Sequence, residues 1–420
     1  MSDITEIDVR SEIGTLEAVI IHPPGNEVQN MIPDNVERAL YSDILNLDVA
    51  SKDFLQFSGV LEKVAKTFTL LDLLTDILTN AKVKKRLITN ICAYEKQEVL
   101  TDYLLSLEPA DLSRELVEGV LMKKNTLTKF ISHDRYILPP LHNFFYMRDA
   151  SVSILDDVLI SKMANPVRER ESMIMEAIFD YHPKLKTKTV NPIVNGRRDP
   201  DITIEGGDIL VVRDDILCIG VGGRTTTQGI DFIIRKLRAQ TGRRHIVIQE
   251  LPKTPESFIH LDMVFTLIDK DTCMLYEPLI MRSHKHRTIH VIIDNGKVEL
   301  IEERRNIIET LKHLGMDLKP MICGGSKDSY AQEREQWHSG ANFLAVGPGK
   351  VIGYARNVYT IEEMHNNGFE VILSEDVING KTNLDDYAKY VVTIAGNELS
   401  RGGGGARCMT MPIRRKAVDW

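Results

Sequence analysis

A cysteine close to the C-terminus, Cys408, has the sequence surroundings of a nucleophile. It follows Arg407 directly and a run of four glycines, 402–405, at a short distance. Glycines let backbone amides approach a ligand that side chains would block. A neighbouring arginine favours the thiolate, the form of cysteine that attacks carbon. Since a buried cysteine is more often a small apolar residue of the core, this segment alone leaves both interpretations open.

Two short acidic motifs supply further groups for such chemistry. Glu205-Gly-Gly-Asp208 places two carboxylates at the start of a predicted strand, where the glycines allow a bend. His260-Leu-Asp262 is predicted to alternate along a strand, so that His260 and Asp262 face the same way. A lone histidine in a strand is more often a core residue, but a histidine and an acid on one face indicate a functional centre.

A third motif, residues 143–149, adds an aromatic residue, an arginine and another acid, Tyr146, Arg148 and Asp149, at a predicted strand start, unless it is an exposed loop with a surface salt bridge. If the three motifs converge, one thiol, one imidazole and several carboxylates describe covalent attack on a carbon atom held by anions. The substrate would then be a cation. A guanidinium is the natural candidate, because its planar donors match two carboxylates bidentately.

Two arginines, Arg168 and Arg224, follow corresponding hairpins and could hold the carboxylate at the other end of an amino acid. The alternative is that both arginines form structural ion pairs with acids of neighbouring segments. The pattern alone favours neither.

These residues fall at corresponding places of a repeated unit. The unit is an acidic or amide residue, an apolar strand, a tight polar turn, a second apolar strand and often an arginine. Four copies begin at Asp149, Asp208, Asp262 and Asn342, and residues 16–25 look like a shorter fifth copy. Hairpins of this kind can be arranged around a pseudo-symmetry axis, so that a site on the axis collects acids and arginines from every copy.

Residues 43–131 have a different pattern, with apolar residues mostly three and four positions apart. This spacing predicts helices. We interpret the segment as a helical insertion that packs against the main body and carries no chemistry of its own.

The length of 420 residues suggests two or three domains or one large closed fold. The composition, 43% hydrophobic and 27% charged, is typical of a globular protein, and no apolar stretch predicts a membrane span. The N-terminal segment is acidic and lacks the features of a signal peptide, which predicts a cytoplasmic protein. A net charge of −8 without a long basic run argues against nucleic acid as a partner.

The cysteines and histidines predict neither a disulfide framework nor a metal site. Five cysteines are an odd number and include no Cys-x-x-Cys, which fits a reducing compartment. Cys218 and Cys273 lie in apolar strands and are predicted to be core residues. His284 and His286 alternate in a polar stretch without acidic or cysteine partners, so we interpret them as part of a solvated loop.

Taken in order, the motifs resemble those of the arginine deiminase family, in the superfamily of guanidino-group-modifying enzymes. The similar segments are residues 143–149, 167–171, 205–208, 260–262 and 406–412, with 11–25 and 337–357 in addition. The resemblance runs nearly from end to end and includes the helical insertion. It is therefore far more specific than any single motif.

The resemblance implies an α/β fold, a five-bladed pseudo-symmetric propeller, as a single catalytic domain over residues 1–420 with the helical insertion at 43–131. It implies conversion of L-arginine and water to L-citrulline and ammonia without a cofactor or metal, in a homo-oligomer, a dimer or a tetramer. Cys408 would attack the guanidinium carbon, and His260 would protonate the departing ammonia and then activate water.

The remaining roles also follow from the resemblance. Asp149 and Asp262 would clasp the guanidinium nitrogens, and Glu205 would orient His260. The implied substrate-binding residues are Asn143, Tyr146, Arg168, Asp208, Arg224 and Gly403.

Two positions depart from the family pattern. Many members carry an arginine five residues before the nucleophile, where this chain has Gly403, and Arg401 is out of register. The change bears on affinity and loop dynamics more than on the type of reaction. Tyr146 stands where the family often has phenylalanine, so an aromatic ring is kept.

Several other functions remain open. A related enzyme of the superfamily could be an amidinotransferase, a dihydrolase that releases ornithine, or a deiminase of agmatine. Agmatine has no carboxylate for Arg168 and Arg224 to hold, which argues against it. A non-catalytic arginine-binding protein is a further alternative, but a pure binder has no need of a thiol.

Overall fold

The computed structural model describes residues 5–36, 41, 43–194, 197–199, 201–239, 241–282 and 285–420. Helices and strands alternate along most of this part of the chain, so the fold is α/β. Within it, no helix combines the length and the apolar composition that crossing a membrane requires.

Five sheets of three or more strands lie within the described ranges, and we name them A to E. Sheet A contains Ser151–Ile154, Asp157–Ile160 and Lys188–Val190. Sheet B contains Ile209–Arg213, Ile216–Val221, Arg244–Glu250, Thr288–Asp294 and Lys297–Arg304. Sheet C contains Phe265–Asp269, Thr272–Leu275 and Lys319–Ile322. Sheet D contains Leu344–Gly347, Lys350–Tyr354, Glu370–Leu373 and Tyr390–Ile394. Sheet E contains Met411–Arg415, Leu16–Ile21 and Lys66–Thr69.

One pairing pattern is common to the five sheets. Two strands form an antiparallel pair, and a third strand lies parallel to the second. The hairpins predicted from the four clear repeat copies are confirmed as the first two strands of sheets A to D. Many of these strands are buried throughout, such as Tyr390–Ile394, which explains their continuous apolar runs.

Sheet E differs from the prediction for the fifth copy. The segment beginning at Leu16 is the second strand of its sheet, Leu16–Ile21, and the first strand is Met411–Arg415 at the other end of the chain. The fifth unit is therefore split between the two termini. This arrangement places Cys408 before a first strand, as Asp149 is before sheet A.

Helices lie in the connections between the second strand of each sheet and the strands that follow, because a parallel third strand requires a crossover. These helices are Glu169–Tyr181, Thr227–Leu237, Ile307–His313, Val358–Asn366 and Leu47–Val64. Polar side chains cap several of them; Thr226, for example, accepts a hydrogen bond from the amide of Gly229. Further helices are Asn26–Gln29, Pro33–Val36, Glu277–Ile280, Ser329–Trp337 and Ser374–Ile378.

The stretch from 43 to 131 contains most of the remaining helices. They are Leu70–Leu78, Ala81–Tyr94, Thr101–Ser106, Pro109–Glu118 and Leu127–Ile131. The stretch is not purely helical, because Lys66–Thr69 within it is the third strand of sheet E. Its helices also share one hydrophobic cluster with the body, in which Leu74 and Ile88 lie with Ile174 and Ile413.

Short elements complete the described chain. Three two-stranded pairs join Thr5–Glu6 with Leu185–Lys186, Val120–Leu121 with Tyr136–Leu138, and Ile193–Val194 with Arg197–Arg198. Single 3₁₀ turns are Glu98–Leu100, Pro166–Arg168, Gly206–Asp208, Glu256–Phe258, Leu261–Met263, Leu384–Asp386 and Leu399–Gly402.

Candidate active site

The turns that precede the first strands of the five sheets carry the candidate residues. Asp149, Asp208, Asp262, Asn342 and Cys408 each lie one to three residues before such a strand. The repeated unit therefore puts one polar or nucleophilic side chain at the same place in every sheet.

Several of the predicted site residues meet around one small cavity. Its lining consists of Asn143, Tyr146, Asp149, Arg168, Arg224, Ile259, His260, Gly402, Gly403, Gly404 and Cys408. The cavity volume is about 20 Å³, which is room for about one water molecule. The structure therefore represents a closed form of the site.

The sulfur of Cys408 lies beside a carboxylate and an amide. Its Sγ is 3.6 Å from Oδ2 of Asp262, and Nδ2 of Asn342 donates a hydrogen bond to it at 3.2 Å. Burial raises the pKa of the Cys408 thiol well above its usual value, and the charges of Asp262 and Asp149 raise it further. Since the thiolate is the nucleophilic form of cysteine, a cation beside the sulfur would make Cys408 more reactive.

His260 lies between two carboxylates. Its Nε2 is 2.9 Å from Oε2 of Glu205, and its Nδ1 is 3.5 Å from Oδ1 of Asp149. Burial lowers the pKa of His260, but the charge of Asp149 and the hydrogen bond with Glu205 outweigh this effect and raise the pKa to about 9. The ring is therefore an imidazolium at neutral pH. Gly207 is needed beside it, because a Cβ there would lie 2.5 Å from Nδ1 of His260.

The local structure around His260 differs from the predicted strand. His260 is extended, but Leu261–Met263 form a 3₁₀ turn, and the strand begins only at Phe265. The expected shared strand face of His260 and Asp262 is therefore wrong. The turn instead directs Asp262 toward Cys408, while His260 lies against Glu205.

Glu205 is held as an anion. Burial raises its pKa, but Arg224 and the hydrogen bond with His260 outweigh this effect and lower the pKa to about 2. Its Oε2 is 3.7 Å from Nη1 of Arg224, and its Oε1 accepts a hydrogen bond from the amide of Ala164 at 2.9 Å. The carboxylate thus remains charged over the whole pH range in which the protein would work.

Asp149 and Asp262 each keep one buried oxygen open. In the part of the chain that the structure describes, Oδ1 of Asp149 and Oδ1 of Asp262 accept no hydrogen bond. A buried carboxylate oxygen without a donor is costly. Asp149 lines the cavity together with Cys408, and the other oxygen of Asp262, Oδ2, is 3.6 Å from the sulfur. A ligand with several N–H donors would complete this site.

The two arginines have different surroundings. Arg168 is already paired, because its Nη1 is 2.6 Å from Oδ2 of Asp149 and its Nη2 is 2.8 Å from Oε2 of Glu171. Nη1 of Arg224 is buried and makes no hydrogen bond to any described residue. Arg224 is therefore the freer of the two cations in this closed form.

Asp208 does not line the cavity, which differs from the prediction of a substrate contact. Its Oδ1 accepts a hydrogen bond from the amide of Leu261 at 3.0 Å, and burial raises its pKa to about 7. Gly220 leaves the space for this carboxyl, because a Cβ there would lie 2.2 Å from Oδ1. Asp208 therefore holds the 3₁₀ turn that carries Asp262.

The glycine run forms one wall of the cavity and packs on Tyr146. A Cβ at Gly402 or Gly404 would lie 2.5 Å or 2.4 Å from atoms of the Tyr146 side chain. Gly403 has a φ of 84° and open space where a side chain would be. The hydroxyl of Tyr146 donates a hydrogen bond to the carbonyl of Leu399 at 2.6 Å, which holds the ring in place against the glycines.

Two further residues that complete the site were not identified as site residues from the sequence. Asn342 contacts the sulfur, and its only sequence signal is its place at the start of a repeat copy. Glu12 pairs bidentately with Arg407, with both N–O distances 3.0 Å. Nothing in the sequence links these two positions, which are 395 residues apart.

Asp149, Glu205 and His260 have ligand atoms within 4.8 Å of one another, a spacing that could hold a metal ion. However, Arg168 and Arg224 already lie against the two carboxylates, and these cations would repel a metal ion. The arrangement favours an acid–histidine network. Of the alternating histidines, His284 lies outside the described residues.

Comparisons with known proteins show the family to which the chain belongs. A family model described as "Arginine deiminase" matches residues 37–415. The arginine deiminase of Bacillus thuringiensis subsp. konkukian (strain 97-27) is 32% identical, over 98% of this chain and 99% of its own length. The arginine deiminase of Staphylococcus aureus (strain JH9) is 31% identical over the same shares.

Solved structures resemble the fold at low sequence identity. The amidinotransferase SxtG from Microseira wollei has a TM-score of 0.53 and 12% identity, over 98% of each chain. The N-terminal domain of ArgZ, a cyanobacterial arginine dihydrolase, has a TM-score of 0.52 and 13% identity, over 95% of this chain and 98% of its own. These likenesses show that the chain shares the α/β fold of these two proteins. On the family model and the identity of its relatives, the chain belongs to the arginine deiminase family.

Proposed function

We propose that this protein is an arginine deiminase that hydrolyses L-arginine to L-citrulline and ammonia through a covalent intermediate on Cys408. The observation that carries the proposal is a thiol with two carboxylates beside it: Asp149 lines the same cavity as Cys408, and Oδ2 of Asp262 is 3.6 Å from its sulfur. A guanidinium could donate hydrogen bonds to Oδ1 of each carboxylate, which accepts none from the described residues. Its positive charge would also offset the two anions that raise the pKa of the thiol.

The first half of the reaction forms the intermediate. With the guanidinium bound, the Cys408 thiol releases its proton to solvent, and the thiolate attacks the guanidinium carbon to form a C–S bond. The C–N bond to one terminal nitrogen breaks, and that nitrogen takes a proton from the His260 imidazolium and leaves as ammonia. His260 suits this step because its pKa, about 9, keeps it protonated at neutral pH. The product of this half is an S-alkylthiouronium on Cys408.

The second half releases citrulline. The neutral His260 takes a proton from water, which attacks the same carbon atom, and a C–O bond forms. The C–S bond then breaks and Cys408 leaves as a thiolate, while the added hydroxyl group loses its proton to solvent and becomes the C=O of citrulline. Glu205 keeps the ring in position through both halves, because its hydrogen bond with Nε2 of His260 is available in either step.

The amino-acid end of the substrate would be held by Arg224, Asn143 and Arg168. Arg224 is suited to bind a carboxylate because its buried Nη1 lacks a hydrogen bond to any described residue. Arg168 currently pairs with Asp149, so we propose that the substrate guanidinium replaces it there. Arg168 would then turn toward the carboxylate. Tyr146 and Gly403 line the same cavity and would pack against the substrate.

The cavity must enlarge before arginine enters, because its volume of about 20 Å³ holds about one water molecule. The wall formed by Gly402, Gly403 and Gly404 is the part best suited to move. It presents no side chains to the cavity. The carbonyl of Gly404 accepts a hydrogen bond from the hydroxyl of Tyr354, and the amide of Gly403 donates to the carbonyl of Ser400.

We also propose that the five sheets are the blades of a closed α/β propeller around the site. Their common strand pattern and the equivalent positions of Asp149, Asp262 and Cys408 support this arrangement. The chain 1–420 would form a single catalytic domain, with the helical insertion within residues 43–131, since the helices share a hydrophobic cluster with the body. A cytoplasmic homo-oligomer, a dimer or a tetramer, remains part of the proposal on the family resemblance.

The test is product analysis. Purified protein is incubated with L-arginine without added metal or cofactor, and products are identified by mass spectrometry, with Cys408→Ser as the control. We expect one citrulline and one ammonia per arginine, no turnover in the control, and arginine binding in the control within about tenfold of the wild type. Ornithine as product would indicate a dihydrolase. Binding without turnover in the wild type would indicate a sensor.

A further inference from the structure

Asn342 was not among the site residues predicted from the sequence, yet its side chain contacts the sulfur of Cys408 directly. It lies in the turn before sheet D, and its side chain is buried. Its Nδ2 donates to Sγ of Cys408 at 3.2 Å and to the carbonyl of Asp262 at 3.2 Å. One amide group thus connects the nucleophile with the turn that carries its neighbouring acid.

The orientation of the Asn342 amide is determined by its other contacts. Its Oδ1 accepts hydrogen bonds from the backbone amides of Arg407 at 2.9 Å and Cys408 at 3.3 Å. Because Oδ1 must face these two N–H groups, Nδ2 must face the sulfur. Gly405 provides the room, since a Cβ at that position would lie 2.6 Å from Oδ1.

We propose that Asn342 is a catalytic residue that stabilises the Cys408 thiolate by donating a hydrogen bond from Nδ2 to the sulfur. The proposal rests on the proposed function of Cys408 as the nucleophile. Two carboxylates face this sulfur, and Asn342 supplies a neutral donor that favours the charged sulfur without competing with the substrate cation for those acids. During turnover the same donor stabilises Cys408 as it leaves the carbon atom in the second half-reaction.

Two substitutions separate this role from a purely structural one. Asn342→Ala removes the donor and the acceptor. Asn342→Asp keeps an oxygen for the amides of Arg407 and Cys408 but replaces the donor with a second oxygen. A residue that only holds the backbone keeps that contact in Asn342→Asp. Because the aspartate also adds a negative charge near the sulfur, slower alkylation of Asn342→Asp supports the donor role only together with slower alkylation of Asn342→Ala.

The readout is the rate at which iodoacetamide modifies Cys408 at pH 9, followed by mass spectrometry of the peptide that contains it. We expect both variants to react at least about tenfold more slowly than the wild type, because a hydrogen bond to a charged group is lost. Asn357→Asp is the matched control. It changes another buried asparagine, whose Nδ2 donates to the carbonyl of His338, and it should react at the wild-type rate.

A wild-type rate in Asn342→Asp would overturn the proposal. If thermal melting shows that neither Asn342 variant is folded, the wild type is tested instead. The NMR signal of the Asn342 side-chain amide should then follow the titration of Cys408 and be insensitive to pH in Cys408→Ala. A chemical shift of this amide that does not change as Cys408 titrates would also overturn the proposal. The alkylation assay contains no arginine, so its result does not depend on whether the protein is a deiminase. A wild-type alkylation rate in Asn342→Asp would therefore leave the deiminase proposal standing. Absence of citrulline would likewise leave the difference in alkylation rate between wild type and variants standing.

Discussion

Arg407 binds the same oxygen of Asp262 that faces the nucleophile. Its Nη1 lies 2.7 Å from Oδ2 of Asp262, and this oxygen is 3.6 Å from Sγ of Cys408. The guanidinium of Arg407 also pairs bidentately with Glu12. Burial raises the pKa of Glu12, but Arg407 and Arg148 outweigh this effect and lower it to about 2. A buried ion network therefore fixes the acid beside the thiol.

Loss of this network should destabilise the whole protein. Arg407→Met leaves two buried carboxylates without their cation, so we expect the free energy of unfolding to fall by about 3–5 kcal/mol. Denaturant unfolding measures the change. Arg414→Met, which removes a partly exposed arginine paired with Glu17, is the control and should cost about 1 kcal/mol or less. Equal effects of the two substitutions would contradict a structural role for the buried network.

Arg224 should set the preference for a substrate with a carboxylate. Arg224→Ala is expected to raise KM for L-arginine by at least about tenfold, because a charge-assisted hydrogen bond is lost, and to weaken discrimination against agmatine. Steady-state kinetics with both compounds measures this. Arg287→Ala, an exposed arginine paired with Glu250, should leave both values unchanged. If discrimination survives in Arg224→Ala, the carboxylate is held elsewhere.

The pH dependence of turnover should follow the protonation of His260. The facing carboxylates raise its pKa to about 9, so the imidazolium acid is present below this pH and is lost above it. Glu205→Gln removes one of these charges and should lower the pKa of His260, which moves the alkaline limb of the kcat profile to lower pH. Glu309→Gln at an exposed position should have the wild-type profile. If the alkaline limb of the kcat profile stays at the same pH or moves to higher pH in Glu205→Gln, His260 is not the titrating acid.

The cavity wall formed by Gly402, Gly403 and Gly404 should tolerate a side chain at Gly403 but not at Gly404. A Cβ at Gly404 would lie 2.4 Å from the Tyr146 ring, whereas a Cβ at Gly403 meets no atom within 4 Å. We therefore expect Gly404→Ala to abolish most activity and lower Tm. Gly403→Ala should only lose about 1 kcal/mol of stability, because a residue with a Cβ is strained at positive φ. Comparable activity in the two variants would show that the wall is not packed as described.

Many strands of the fold could be predicted because each copy of the repeated unit shows its hairpin in its local sequence. Apolar strands separated by pairs such as Asp156-Asp157 predict hairpins from neighbouring residues alone, and the residue before each hairpin marks the site. The split of the fifth unit was not predictable, since Leu16–Ile21 and Met411–Arg415 pair across nearly the whole chain. The strand Lys66–Thr69 is short and surrounded by helices, so its sequence gives no strand periodicity.

The site was predictable in its types of residue but not in their contacts. The thiol, the imidazole and the acids follow from the motifs and the family resemblance. The pairing of Arg168 with Asp149, the use of Asp208 to hold Leu261, and the contact of Asn342 with the sulfur depend on how separate units pack. No spacing within one motif encodes a contact of that kind.

The most direct measurement of the central claim is the covalent state of Cys408 during turnover. The protein is mixed with L-arginine, quenched in acid within the first turnovers and digested, and the peptide that contains Cys408 is weighed by mass spectrometry. We predict an adduct on Cys408 with the mass of arginine less ammonia, which disappears when the substrate is exhausted. Citrulline formation without any such adduct, or with undiminished turnover in Cys408→Ala, would contradict the account.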